Sequence, residues 1–226
     1  MAASLLKMYS SSIRKCLKHV SKYCRIGSRR ATFHCTAKNL GVKCSDKPFF
    51  TTRLALPPDY ENVADFMCEA YYKYEPVVIN IGLGGTEAPP IWRRMMLEQV
   101  KAGYSIIAEN RENCIIGAAL NCITDHNELK MLCKLARCCE DGPIRDLIEF
   151  FAFVLEAPRV WERFPVRLIF EQCSLAVNCE YQGLGIAKRL IQESWHLARD
   201  CGYRLFRLDC NSRKAIKDTK VSFQLY

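Results

Sequence analysis

Residues 168–190 read LIFEQCSLAVNCEYQGLGIAKRL, and this stretch decides the fold. Its first ten residues are mostly apolar, with β-branched and aromatic side chains among them, which predicts a strand. A polar turn at 178–181 then leads into a loop that contains Gly183 and Gly185. Apolar residues recur at helical spacing after Gly185, and Gly202 stands where it can end that helix. We therefore predict a strand, a glycine turn and a helix in direct succession.

A strand, a glycine turn and a helix together place free backbone N–H groups and the positive end of a helix against a phosphate. A pair of glycines in this setting is equally typical of a tight turn with no ligand. Two other phosphate motifs do not fit. A Walker A loop needs Gly-Lys-Ser/Thr, but Ile186 and Ala187 follow Gly185. A dinucleotide fingerprint needs three glycines, and only Gly183 and Gly185 are present, although Asp209 has the acidic spacing.

The order Q-x-x-G-x-A in 182–187, shortly after S-L-A-V in 174–177, resembles the acyl-CoA loop of the GNAT acetyltransferase superfamily. The resemblance implies an α/β fold, in which helices flank a mixed, mostly antiparallel sheet. It also implies acetyl-CoA as cosubstrate, with the strand pairing with the pantetheine arm and the loop receiving the pyrophosphate. The cofactor-binding residues implied in this way are Leu175, Ala176, Val177, Gln182, Gly183, Leu184, Gly185, Ile186, Ala187 and Lys188.

A closer resemblance spans about residues 50–212 and is to the insect-type arylalkylamine, or dopamine, N-acetyltransferases. The matching segments are YYKYEPV at 71–77, SIIA at 105–108, IGA at 116–118, WERFPV at 161–166 and CSLAV at 173–177. In that family the glutamate of the E-P-L motif is the general base, and Glu75 stands at its position. The resemblance implies direct acetyl transfer to the primary amine of a small aromatic substrate of the dopamine, serotonin or tryptamine type. From the residues alone, Glu75 is a carboxylate at a helix end before a proline.

The chain departs from that family after Cys210. The family has a segment of the type C-[ST]-S-H-[FY]-S-A there, and residues 210–216 read CNSRKAI. Only the middle serine remains, which makes Ser212 the second implied catalytic residue, while Asn211 and Ala215 replace the outer two. Because the chain stops at Tyr226, we expect the sheet to be incomplete at its C-terminal end. The alternative function is a truncated, non-catalytic relative that binds CoA or a partner.

The net charge of +9 belongs to the N-terminal part of the chain. Residues 1–45 hold ten of the 33 Lys and Arg residues and no acid, which leaves 23 basic and all 24 acidic residues for the rest. A nearly neutral body argues against a nucleic acid partner. We interpret 1–48 as a basic arm, which is a mitochondrial presequence, an untargeted extension or a membrane-surface helix, and 49–226 as the acetyltransferase domain. We expect an intracellular monomer, cytoplasmic or mitochondrial, without a transmembrane segment.

The fourteen cysteines have neither a secretory signal nor a C-x-x-C spacing beside them, so we interpret them as reduced, buried and inert thiols, with no metal site. The remaining periodicities predict an alternation of strands and helices on both faces of one sheet. The predicted strands are 50–55, 104–109, 114–123, 168–177 and 203–210, with a further short strand at 221–226. The predicted helices are 59–74, 91–101, 128–139, 144–157 and 186–201, and 81–90 is a glycine- and proline-rich loop.

Overall fold

The computed structural model describes residues 49–84 and 87–210. The strands are β1 (Thr51–Leu54), β2 (Ile106–Glu109), β3 (Ile115–Asp125), β4 (Leu168–Val177) and β5 (Phe206–Leu208). The helices are α1 (Tyr60–Ala70), α2 (Pro76–Asn80), α3 (Pro90–Val100), α4 (Glu128–Arg137), α5 (Pro143–Glu156), α6 (Val160–Arg163) and α7 (Ile186–Asp200). Short 3₁₀ turns lie at Pro57–Asp59, Tyr72–Tyr74 and Cys179–Tyr181.

The five strands form one sheet in the order β1-β2-β3-β4-β5. Neighbouring strands are antiparallel except for β4 and β5, which are parallel. The parallel pairing covers only Phe170, Glu171 and Gln172 of β4, so the described part of β5 separates from β4 beyond Gln172. The mixed, mostly antiparallel sheet with flanking helices confirms the predicted fold class.

Helices cover both faces of this sheet, as the alternating pattern predicts. On one face, Val63 and Met67 of α1 and Met96 of α3 pack against Leu120 of β3 in the main buried cluster. On the other face, the apolar side of α7 packs against β2 and β3. Helices α4 and α5 share a separate buried cluster, which makes them a helical hairpin beside the sheet.

Two helices were missed at the sequence level and one was predicted too long. Helix α1 ends at Ala70 instead of continuing to residue 74, and a 3₁₀ turn follows it. Glu75 is extended (φ −66°, ψ 121°), as expected of a residue before proline. Pro76 then begins α2, because proline is favoured at the first position of a helix. Helix α6 is a single turn, and four residues are too few to show a helical period.

Several predictions fall on residues outside the described ranges. These are the basic arm at 1–48, the strand at 221–226 and everything expected of Ser212, Asn211 and Ala215. Within the described ranges, no helix is long and apolar enough to cross a membrane.

Candidate active site

A cavity of about 510 Å³ opens where β4 and β5 separate. Its wall is formed by the end of α1 and the start of α2, by residues 172–177 of β4, by the glycine loop with the start of α7, and by the end of β5. Two regions far apart in the sequence, around Glu75 and around Gly185, therefore face the same space. Of the predicted cofactor-binding residues, all line the cavity except Leu184, which packs into the cluster under α7.

The glycine loop has a backbone that only glycine adopts easily. Gly183 and Gly185 have φ angles of +82° and +84°, in the left-handed region that L side chains rarely occupy. The first intrahelical hydrogen bond at this end of α7 runs from the Arg189 N–H to the Gly185 carbonyl, at 3.0 Å. The N–H groups of residues 186–188 precede that bond, so they stand at the positive end of the helix dipole. Such an end suits an anionic group, and the Lys188 side chain adds a positive charge on the same wall.

The edge of β4 beyond its described pairing with β5 supplies a second set of polar groups. The Asn178 N–H bonds to the Ile116 carbonyl on β3 at 2.9 Å, and the pairing is regular from there back to Ser174. Backbone direction alternates along an antiparallel strand, so the N–H groups of Leu175 and Val177 point away from β3. They point to the side on which the described pairing with β5 has already ended.

Glu75 lies at the junction of α1 and α2 with only 6% of its surface exposed, and it lines the cavity. It caps the N-terminus of α2, accepting a hydrogen bond from the Val77 N–H at 3.4 Å. The carboxylate is held in place by this cap and by Pro76, which fixes the start of α2. Glu75, which the family resemblance singled out, is therefore a buried carboxylate on the cavity wall.

Tyr71 and Ser174 belong to the same polar group, and the sequence analysis missed this role. The Tyr71 hydroxyl lies near the Glu75 carboxylate and Ser174. Burial and the negative charge of Glu75 raise the pKa of the Tyr71 phenol well above its ordinary value, so it stays protonated at neutral pH. The four-residue spacing of Tyr71 and Glu75 was visible in the sequence, but the contact with Ser174 depends on how β4 packs below α1.

The three tyrosines before Glu75 have three different environments. Tyr72 is fully buried in the main core cluster. Tyr71 stacks on Trp92 of α3, with ring centroids 6.4 Å apart and an angle of 14° between the rings. Tyr74 is 67% exposed and lines the cavity. Of the three rings, those of Tyr71 and Tyr74 are thus available to a ligand.

Two further polar side chains, Gln172 and Asp209, line the cavity. Gln172 is 3% exposed, and neither atom of its amide has a hydrogen-bond partner among the described residues. It stands where β4 and β5 begin to separate. Asp209 accepts hydrogen bonds from Arg207 at 3.1 and 2.6 Å, so its charge is already paired.

The described cysteines correct one interpretation. All ten are free thiols, but only Cys68 is fully buried, while Cys114, Cys138, Cys179 and Cys201 are exposed. Thiols in short surface turns were taken for core residues because cysteine is so often buried. Within residues 49–84 and 87–210, no three His, Cys, Asp or Glu side chains form a group that could hold a metal ion.

Solved structures share this fold. Drosophila melanogaster polyamine N-acetyltransferase, which forms N-acetylagmatine, matches with a TM-score of 0.69 at 22% identity, over 76% of this chain and 81% of that chain. Arylalkylamine N-acetyltransferase 2 from Aedes aegypti matches with a TM-score of 0.70 at 22% identity, over 76% and 81%. A mosquito arylalkylamine N-acetyltransferase-like 5b matches with a TM-score of 0.71 at 21% identity, over 76% and 82%. No family model matches the sequence.

The chain therefore has the fold of the GNAT N-acetyltransferases. At these identities the likeness concerns the fold.

Proposed function

We propose that the protein is an acetyl-CoA-dependent N-acetyltransferase that acts on the primary amine of a small arylalkylamine. The observation that carries the proposal is that three features line one cavity. They are the buried carboxylate of Glu75, the edge of β4 beyond its described pairing, and a glycine loop of the kind that binds phosphate. The neighbours of the same fold are N-acetyltransferases of arylalkylamines and of agmatine, which supports acetyl transfer to an amine.

In this proposal the cosubstrate runs along β4. Its pyrophosphate is received by the glycine loop at 182–188, and its pantetheine arm pairs with the N–H and C=O groups of Leu175 and Val177. The buried amide of Gln172, which no described residue pairs with, gives the arm a further hydrogen-bonding partner, because a buried amide without a partner is costly and a ligand relieves that cost. The thioester then lies near the point where β4 and β5 separate.

Glu75 is proposed as the general base. An alkylamine is mostly protonated near neutral pH, so a proton must leave before nitrogen can attack the thioester carbonyl. Glu75 attracts the ammonium and takes that proton, directly or through water. The C–N bond forms and the C–S bond breaks, the nitrogen releases its second proton to solvent as the amide forms, and the leaving thiolate takes a proton from solvent. Backbone N–H groups at the β4 edge stabilise the oxyanion of the tetrahedral intermediate.

The described residues that line the cavity favour an aromatic monoamine over a diamine as the substrate. The ring of Tyr74 is exposed to the cavity and that of Tyr71 forms part of its wall, and both offer stacking surfaces to an aromatic group. A diamine or agmatine needs a second anion for its far cation. Asp209 is the second described carboxylate on the wall, and Arg207 already neutralises it. We therefore expect tryptamine to be preferred to agmatine.

A steady-state assay tests the proposal. The full chain is incubated with acetyl-CoA and either tryptamine, dopamine or agmatine, and released CoA thiol is measured. We expect amine-dependent thiol release, fastest with the aromatic amines. Stabilisation of the protein by CoA without thiol release for any amine would contradict the proposal and select the non-catalytic alternative, which the replacements Asn211 and Ala215 favour.

A further inference from the structure

Two thiols meet at the wall of the cavity, on neighbouring strands. The Sγ atoms of Cys122 on β3 and Cys173 on β4 lie 2.7 Å apart. The strand register explains the meeting, because Cys122 pairs with Glu171 and Cys173 is the next residue on the same face of β4. Both side chains are half-buried, and Cys173 lines the cavity.

Cys173 is also the extra residue of a β-bulge. Leu120 pairs with Ser174 and Asn121 pairs with Gln172, which leaves Cys173 without an opposite residue on β3. A bulge of this kind places two successive residues on one strand against one on its partner. Cys173 therefore stands beside Ser174, which lies near the Tyr71 hydroxyl and, with it, near Glu75.

We propose that Cys122 and Cys173 form a redox-active dithiol, which a small hydroperoxide converts reversibly to a disulfide, and that the disulfide form acetylates amines more slowly. The claim that the disulfide slows acetylation rests on the proposed acetyltransferase function, whereas the claim that the disulfide forms does not. Nothing in the acetyl transfer itself uses either thiol.

The chemistry balances with the hydroperoxide as the named oxidant. The Cys173 sulfur faces the cavity and attacks the peroxide, so that an S–O bond forms, the O–O bond breaks and one water or alcohol leaves. The Cys122 sulfur then displaces water from the sulfenic acid as the S–S bond forms. The two thiols lose two protons and two electrons in all, and the peroxide takes up both as it is reduced.

The environment of Cys173 sets the speed of the reaction. The hydrogen bond that it shares with Cys122, together with burial, raises the pKa of the Cys173 thiol. The thiolate is the reactive form, so oxidation is expected to be slow at neutral pH and to speed up as the pH rises. The disulfide would tie the bulge to β3. Because the bulge sets the positions of Ser174 and of the Leu175 N–H, we expect acetyl transfer to slow.

The covalent step is tested by peptide mapping of the full chain. Trypsin, which cleaves after Lys and Arg, places Cys122 in peptide 112–130 and Cys173 in peptide 168–188. Replacing Cys114 and Cys179 by serine leaves one cysteine in each peptide. After hydrogen peroxide treatment we expect the two peptides to be cross-linked, to separate on thiol reduction, and to remain separate when Cys122→Ser is added. Absence of the cross-link, or accumulation of Cys173 sulfinic acid while Cys122 is present, would overturn the dithiol.

The functional step is tested by the rate of thiol release before and after peroxide treatment. We expect the unmutated chain to lose at least about fivefold in rate and to regain it with dithiothreitol, while Cys173→Ser keeps its own untreated rate. A cross-linked protein with an unchanged rate would overturn the regulatory half. No rate in the untreated chain would instead contradict the acetyltransferase proposal, and the peptide cross-link would still decide the dithiol.

Discussion

At the scale of single residues, Gly185 holds the backbone turn on which the proposed pyrophosphate site depends. Its φ of +84° costs a non-glycine residue about 1–2 kcal/mol. We expect Gly185→Ala to lower the free energy of unfolding by about that amount and also to weaken CoA binding, as measured by calorimetric titration.

Gly202 provides a matched control for Gly185. It has a similar φ of +79°, but it lies beyond the other end of α7 and does not line the cavity. We expect Gly202→Ala to cost similar stability and to leave the CoA dissociation constant unchanged. Equal CoA affinities of the two variants would show that the loop turn does not form the cofactor site.

At the scale of elements, the distance between α7 and the sheet is set by Gly117 on β3. A Cβ at this position would lie 2.9 Å from Ile186 Cγ2 and 3.2 Å from Leu190 Cδ1, so the Ile186 side chain, or the helix that carries it, would have to shift. We expect Gly117→Ala to reduce the free energy of unfolding by about 1–3 kcal/mol, measured in urea, because overpacking a tight contact has that cost. CoA binding should weaken with it, since Ile186 begins the helix that ends the glycine loop.

The double variant Gly117→Ala, Ile186→Ala isolates this contact. If the clash with Ile186 causes the loss, the double variant will be more stable than the sum of the two single effects predicts. Additive effects would contradict the assignment of Gly117 as the residue that sets the helix-to-sheet distance.

At the scale of the whole molecule, a buried carboxylate shapes the pH dependence of stability. Burial raises the pKa of Glu171, although Arg207 and a 2.6 Å hydrogen bond from Thr124 oppose the shift. A carboxyl whose native pKa is raised binds its proton more tightly in the folded state than in the unfolded state. The contribution of Glu171 to the free energy of unfolding is therefore greatest below the pKa of about 4.3 that it has in the unfolded chain. This contribution is lost as the pH rises through the pKa of the folded state.

We expect Glu171→Gln to remove this component of the pH dependence. Arg53 lowers the pKa of Asp59 through a side-chain hydrogen bond. That ion pair therefore has the opposite effect on the pH dependence, because its contribution to the stability of the fold is lost as the pH falls. The quantity to measure is thus the difference in unfolding free energy between the two chains from about pH 4 to pH 7. The unmutated chain should lose stability relative to Glu171→Gln as the pH rises. The prediction would be contradicted if the unmutated chain kept or gained stability relative to the variant over this range.

The sequence predicted what is encoded locally. The strand, glycine turn and helix at 168–200 each have their own period or turn residue, so their order and bounds were predictable. The contacts of Tyr71 with Ser174 and of Cys122 with Cys173 were not, because both depend on a one-residue bulge in β4 that no local pattern announces. The proposed role of Glu75 came from the resemblance to a family, and its position on the cavity wall supports that role without testing it.

The central claim is that Glu75 is the base of an amine acetyltransferase, and its most direct test is the turnover of Glu75→Gln with saturating acetyl-CoA and tryptamine. Glutamine keeps the shape and can still accept the hydrogen bond from the Val77 N–H, so the cap of α2 should persist. We predict that kcat falls by about 10²- to 10⁴-fold while the CoA dissociation constant stays within about twofold. An unchanged kcat in a folded variant that binds CoA would contradict the account.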